Sequence, residues 1–104
     1  KRKIMNIIIE SPHIENSQVP ESLIRKKILH LDKFYNRIEY CKVVLQKEKS
    51  DVQDGYFIEA ILKVPNNLLF SSDTAGSFEI TLDKVIHDLE VQLHRYKEKL
   101  EKSR

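Results

Sequence analysis

Residues 20–37 have the sequence PESLIRKKILHLDKFYNR, and the element formed by this stretch decides the fold. Its apolar residues recur at intervals of four, three and four positions: Ile24, Ile28, Leu31 and Tyr35, flanked by Leu23 and Phe34. This spacing is that of one face of an α-helix. Pro20 and Glu21 suit the first turn, because proline lacks an N–H and a carboxylate is favoured at the positive helix end. The stretch is therefore predicted to be an amphipathic helix of about 17 residues.

Apolar and polar residues alternate on both sides of this helix, which predicts β-strands. The alternating stretches, in chain order, are residues 5–9, 38–49, 56–64 and the short run 68–71. Pro12 ends the first strand, because proline cannot continue a ladder of hydrogen bonds. A polar turn over residues 50–55 separates the second strand from the third. Residues 65–67, Pro-Asn-Asn, predict a tight turn, since asparagine tolerates the left-handed conformation that such turns need.

A second helix is predicted from an apolar stripe that continues to the C-terminus: Phe78, Leu82, Val85, Ile86, Leu89, Leu93, Tyr96 and Leu100. One of Ser72, Asp73, Thr74 or Ser77 is expected to cap its N-terminus. The predicted element order is β-α-β-β-β-α. The first strand returns through a helix, so we expect it to pair parallel with its neighbour, whereas the three later strands form an antiparallel meander.

Two apolar helix stripes require a common sheet face, which predicts an α+β two-layer sandwich with a four-stranded sheet and both helices on one face. The opposite face is expected to carry Ile8, Val44, Phe57 and Ile61. This is more apolar than a solvated face needs and predicts a homodimer contact there. Scattered surface hydrophobes are an equally acceptable interpretation.

The composition excludes membrane-spanning and disordered chains, with 40% hydrophobic and 33% charged residues over 104 positions. We expect one domain spanning residues 1–104, without a membrane partner. The only cysteine, Cys41, cannot form an internal disulfide and alternates onto an apolar strand face, where a thiol is usually inert. Together with the lack of an apolar secretory segment, this predicts a cytoplasmic protein.

Positive charge is concentrated on the first helix. Residues 20–37 hold five Lys or Arg against two acids, whereas residues 38–76 hold four against six. Four basic residues follow helical spacing, each two positions after an apolar residue and hence on the opposite side of the helix: Lys26, His30, Lys33 and Arg37, with Lys27 beside them. Such a stripe can neutralise successive phosphates of a nucleic acid, and an ordinary solvated helix face is the alternative.

The remaining candidates for chemistry are weaker. The second helix carries Lys84, Arg95 and Lys102 on its outer side, but Asp88, Val91 and Glu98 lie between them. His87, Glu90 and His94 have a spacing that could bring them to one helix face, yet a fourth ligand for a metal ion is lacking. No nucleophile, acid–base pair or glycine-rich phosphate loop is evident. We therefore expect no catalytic residue, no metal site and no cofactor.

Three stretches carry a likeness to a known family. They are residues 26–38, KKILHLDKFYNRI; residues 64–70, VPNNLLF; and residues 77–99, with SFE, LD, LE and QLHRYKEK in that order. Their order and spacing resemble those of the short hibernation-promoting factors, also called ribosome-associated inhibitors or ribosomal subunit interface proteins. The resemblance covers nearly the whole chain. It implies a non-enzymatic protein that occupies the decoding channel of the small ribosomal subunit and holds ribosomes idle under stress.

The resemblance also implies which residues contact ribosomal RNA. Carried over by position, the first-helix contacts fall on Lys27, His30 and Lys33, with Lys26 and Arg37 beside them. In the second helix they fall on Arg95 with Lys99 close by, and Lys84 lies on the same outer side. Two positions that are commonly basic in the family are Asp88 and Val91 here, which predicts weaker phosphate binding.

Two functions are therefore predicted. The first is a hibernation factor that blocks translation by occupying the small subunit. The second is a diverged paralogue that acts as a homodimeric protein-interaction module through the open sheet face. The extra C-terminal dimerisation domain of the long family members is not expected, so we do not expect this chain to pair ribosomes by itself.

Overall fold

The computed structural model describes residues 5–12, 14–15, 19–48 and 55–102. The elements, in chain order, are β1 (Asn6–Glu10), α1 (Glu21–Leu29), a 3₁₀ turn (His30–Lys33), β2 (Tyr40–Glu48), β3 (Gly55–Val64), β4 (Asn67–Ala75) and α2 (Phe78–Lys102). The strands form one sheet in the order β1-β2-β3-β4. β1 runs parallel to β2, and the other two pairs are antiparallel. The predicted α+β fold is confirmed.

Both helices cover one face of the sheet and enclose the hydrophobic core. Every second residue of β3, from Ile58 to Val64, is buried against them. α1 contributes Ile24 and Ile28, which have no exposed surface. α2 contributes the longer buried stripe, including Leu82, Val85, Leu89 and Leu93. The spacing that predicted the two helices is therefore the spacing of the residues that they bury.

The first helix is shorter than predicted. The α-helix ends at Leu29, and the chain continues as the 3₁₀ turn up to Lys33, instead of remaining α-helical to residue 37. The N–H of Phe34 donates to the carbonyl of Leu31 at 3.0 Å, the i to i−3 bond of this tighter geometry. Ile38 is buried and β2 begins at Tyr40, so the chain must leave the helix layer within a few residues. This requirement ends the helix early.

The predicted end of β4 was also wrong. β4 extends to Ala75, which pairs with Tyr56, whereas the sequence predicted a strand that ended at Ser71. The tight turn is confirmed, with Asn66 at a φ of 64° in the left-handed region. Of the four candidate caps of α2, Ser77 holds the position: its Oγ accepts a hydrogen bond from the N–H of Ile80 at 3.1 Å. The polar turn predicted over residues 50–55 lies outside the described residues except for Gly55.

The opposite sheet face is not covered by any described element. Val44, Phe57 and Ile61 lie there half-buried among their neighbours, and Ile8 is 38% exposed. The structure adds two more exposed apolar side chains, Leu68 and Phe70, which are 57% and 49% exposed. We call this surface the open face.

Candidate nucleic-acid interface

The predicted basic stripe is exposed, but it does not lie on one regular helix. Lys26 belongs to α1, His30 and Lys33 belong to the 3₁₀ turn, and Arg37 lies in the turn that follows. All four side chains are exposed, as the helical pattern predicted. Lys26, Lys33 and Arg37 make no ion pair with another described residue. We call these three residues the free cations.

Lys27 is placed differently, in the space between α1 and α2. Its Nζ forms an ion pair with a carboxylate oxygen of Asp83, and the Oε1 of Glu79 lies 3.9 Å away. Only 23% of the Lys27 side chain is exposed, against 56% for Asp83. The residue that the family resemblance places at the centre of the RNA contacts is therefore neutralised within the protein.

His30 also faces an acid of α2. Its Nε2 lies 4.0 Å from the Oε1 of Glu90, at the distance limit of an ion pair. The two helices border a groove of about 290 Å³ at this point, and His87 lies on its α2 side. Glu79, Asp83 and Glu90 thus form an acidic row on the side of α2 that faces α1. The spacing of these acids, at i, i+4 and i+11, is the signal in the sequence that could have indicated this row.

The cations of α2 lie on a different side of that helix. Lys84 and Arg95 are eleven residues apart, which returns them to nearly the same direction, and both are exposed without a described ion pair. Lys99 is exposed as well. The acidic row separates these residues from the stripe of the first helix. The predicted contact residues of the two helices therefore lie in two cationic patches with acids between them.

Asp88 is engaged in a local contact. Its Oδ2 accepts a hydrogen bond at 3.0 Å from Nε2 of Gln92, which also donates to the carbonyl of Phe70 at 2.6 Å. Gln92 thereby ties α2 to β4. Val91, the second position that departs from the family pattern, is half-buried. Neither residue can contribute a positive charge, so the patch on α2 depends on Lys84 and its basic neighbours.

Among the described residues, no group of three or more His, Cys, Asp or Glu side chains is arranged to hold a metal ion. Of the three residues with metal-ligand spacing, Glu90 faces His30, and the Nε2 of His94 lies 3.3 Å from Glu98. Burial raises the pKa of the Cys41 thiol to about 12, which keeps it protonated and unreactive. None of the helices in the described ranges is long and apolar enough to cross a membrane.

Comparison with known proteins identifies relatives of this chain. Residues 7–101 match the profile of the family described as sigma 54 modulation protein / S30EA ribosomal protein. No curated protein sequence matches at the level of significance applied.

Many solved structures share the fold, and two of them illustrate the similarity. A ribosomal subunit interface protein from Coxiella burnetii is 20% identical, with a TM-score of 0.76 over 89% of this chain and 98% of that one. The N-terminal domain of Protein Y from Thermus thermophilus is 22% identical, with a TM-score of 0.76 over 88% of this chain and 99% of that one.

Proposed function

Because the chain belongs to the sigma 54 modulation protein / S30EA ribosomal protein family, we propose that it is a hibernation factor of the small ribosomal subunit. In this proposal the protein binds in the decoding channel, overlaps the sites of mRNA and tRNA, and blocks translation by occupancy during stress. It acts in the cytoplasm as one domain and carries out no reaction. One structural relative is a ribosomal subunit interface protein, which supports the same assignment.

The observation that carries this proposal is the set of free cations at the end of the first helix. Lys26, Lys33 and Arg37 are exposed and have no ion pair with another described residue, so phosphates can bind them without displacing an internal partner. Three contacts of this kind give a salt dependence of binding with a slope of about −2 to −3 on logarithmic axes. Such contacts position a protein on RNA without reading its sequence.

The other predicted contacts have different roles in this proposal. Lys84, Arg95 and Lys99 form a second patch that contacts phosphates on the other side of the acidic row. Lys27 and His30 contribute only when their contacts with Asp83 and Glu90 open. Asp88 and Val91 supply no cation, so we expect affinity to depend on the free cations more than on α2.

Sedimentation of the protein with purified small subunits at two salt concentrations tests the proposal. Native protein is expected to co-sediment at low salt and to be released at high salt. The double variant Lys26→Ala/Lys33→Ala should lose two phosphate contacts and bind with a slope shallower by about 1.4–1.8. The proposal would be refuted if native protein did not co-sediment with small subunits at low salt.

A matched control removes the same charge from the open face. Lys42 and Lys63 lie there in ion pairs with Glu10 and Glu39, at 3.3 and 4.0 Å. Lys42→Ala/Lys63→Ala should bind small subunits with the native salt slope. In a translation assay, inhibition should follow subunit binding across all three proteins, because occupancy is the mechanism. If both double variants lost binding equally, binding would depend on the net charge of the protein and not on a specific site on the first helix.

The open face favours a second candidate, the homodimeric interaction module. Leu68, Phe70 and Ile8 expose large apolar side chains there, and such surface is costly to leave in water. A concentration-dependent increase in mass by light scattering, abolished by Phe57→Glu, would support this function. A mass that stays monomeric at every concentration would exclude it.

A further inference from the structure

A second groove borders the stripe at the far end of the first helix. It has a volume of about 990 Å³ and lies between the 3₁₀ turn and the C-terminal half of α2. Its lining combines two aromatic residues, two cations, an acid and an amide: Phe34, Tyr35, Lys33, Lys97, Asp32 and Asn36, with Leu29 at the border.

Two adjacent aromatic residues have separate roles here. Tyr35 packs inward, with its ring edge-on to Tyr96 at 5.3 Å, and the hydroxyl of Tyr96 donates to the carbonyl of Pro65 at 2.8 Å. Phe34 is not part of that packing and remains 38% exposed. The sequence predicted that Phe34 flanks the buried stripe. Its partial exposure agrees with a position at the edge of that stripe.

The exposed ring of Phe34 has one aromatic neighbour. Its backbone N–H donates to Leu31, and its ring meets the ring of His30 edge-on, at 5.5 Å and 77°. A fixed aromatic ring loses little conformational entropy when a flat partner stacks on it. The structure therefore presents an exposed aromatic platform at the edge of the groove.

The charges around the platform favour an anionic ligand. Lys33 is exposed and Lys97 half-buried, and neither forms an ion pair with another described residue. Asp32 is the one acid among the described residues that line the groove, and it is half-buried, so the two lysines outnumber it. Lys33 is one of the free cations, so a strand whose phosphates follow the stripe reaches this groove directly.

We propose that this groove receives an unpaired base of RNA, which stacks on Phe34 while its flanking phosphates contact Lys33 and Lys97. The inference rests on the proposed function and adds to it the class of RNA that is recognised: a single-stranded segment instead of a regular helix. Aromatic platforms flanked by cations are the usual means of binding unpaired RNA, and stacking accepts any base. The amide of Asn36 can bond a base edge but is not required.

The chain contains no tryptophan, which allows a direct optical test. In Phe34→Trp the only indole lies at the proposed platform, and stacking of a base should quench its fluorescence. The probe is a short oligoadenylate RNA at low salt. The matched control is Phe70→Trp, because Phe70 is 49% exposed on the open face, away from both helices.

We expect saturable quenching at position 34 and none at position 70. Absence of quenching at position 34, or equal quenching at both positions, overturns the inference. Binding measured by the anisotropy of labelled oligoadenylate should weaken about fivefold or more in Phe34→Ala, with the salt slope unchanged, because stacking involves no counterions. Phe34→Tyr should retain native affinity, since it keeps the aromatic face.

Binding to small subunits distinguishes a failure of this inference from a failure of the proposed function. If native protein does not co-sediment with them, the proposed function fails, while oligoadenylate quenching still decides the groove. If the subunits bind and Phe34→Ala binds them as tightly as native protein, the groove is not used and the inference fails alone. Weaker binding of Phe34→Ala to subunits, with unchanged binding to oligoadenylate, would assign the groove to a ribosomal protein and overturn the RNA assignment.

Discussion

Replacement of Asp83 by asparagine should strengthen RNA binding, although it removes an ion pair from the folded protein. Lys27 is held by Asp83 and lies 3.9 Å from Glu79, so in the free protein its charge is used internally. A phosphate that binds Lys27 must compete with these carboxylates and is also repelled by them. Asp83→Asn preserves the shape of the side chain and removes the stronger competitor.

The size of the effect follows from the exposure of the pair. Asp83 is 56% and Glu79 68% exposed, so solvent screens them, and an exposed ion pair contributes about 0.2–1 kcal/mol. Asp83→Asn should therefore lower the free energy of unfolding by no more than about 1 kcal/mol. In the native protein this ion-pair free energy must be given up before a phosphate can bind Lys27. Its removal in Asp83→Asn corresponds to a gain in affinity of about 1.4- to 5-fold. Release of Lys27 adds one phosphate contact and steepens the salt slope by about 0.7–0.9.

The assay is the dissociation constant for small subunits over a series of salt concentrations, together with a thermal unfolding curve for each variant. Glu59→Gln is the matched control, because it removes one negative charge from a half-buried position on the open face. Lys27→Ala/Asp83→Asn should bind as Lys27→Ala does, since the gain acts through Lys27. A native slope in Asp83→Asn, with lowered stability, would refute the reasoning and make the pair purely structural.

Three further predictions concern stability. Ser77→Ala removes the cap that accepts the hydrogen bond from the N–H of Ile80, and should lower the free energy of unfolding in urea by about 1 kcal/mol. Ser77→Gly should lower it by only about a few tenths of a kcal/mol. Equal stability of the native and Ala proteins would contradict this prediction. Tyr96→Phe leaves the carbonyl of Pro65 without its donor and should cost about 0.5–1.5 kcal/mol, against no change if water replaces the bond. The raised pKa of Cys41 keeps the folded thiol neutral, whereas the thiol of the unfolded chain ionises above its ordinary pKa of 9.0. The free energy of unfolding should therefore be unaffected by this group below pH 9.0 and should fall by about 1.4 kcal/mol per pH unit as the pH rises towards 12. Cys41→Ala should lack this part of the decline, and parallel stability curves for the two proteins would disprove the prediction.

The architecture could be predicted because each element carries its own periodic signal. The apolar stripes of both helices and the alternation of β2 and β3 match the residues that the structure buries. The length of β4 could not be predicted in this way. Ser72, Asp73 and Thr74 have the composition of a loop, and their strand geometry comes from pairing with β3. Such pairing is a long-range effect that residue preferences do not contain.

Only part of the candidate site could be predicted, because the rest depends on tertiary contacts. Exposure of the stripe follows from local helical spacing, and the structure shows it. The pairing of Lys27 with Asp83 joins residues 56 positions apart, so it depends on how the two helices pack. The change from α-helix to the 3₁₀ turn at His30 likewise depends on how the chain returns to the sheet. Each of these corrections comes from tertiary structure acting on a pattern that was locally correct.

The order of the strands in the sheet, which equals their order along the chain, has a consequence for how the protein is made. As the chain leaves the ribosome that synthesises it, each new strand can join the edge of the strand before it, without insertion between partners already formed. The buried face is completed only when α2 arrives with Leu82, Leu89 and Leu93. Until then, the apolar side of the nascent sheet stays open to solvent along β3 and β4, which α2 covers in the folded protein, and such surface is prone to aggregate. A translation arrest shortly before α2 should therefore leave an intermediate that needs chaperones.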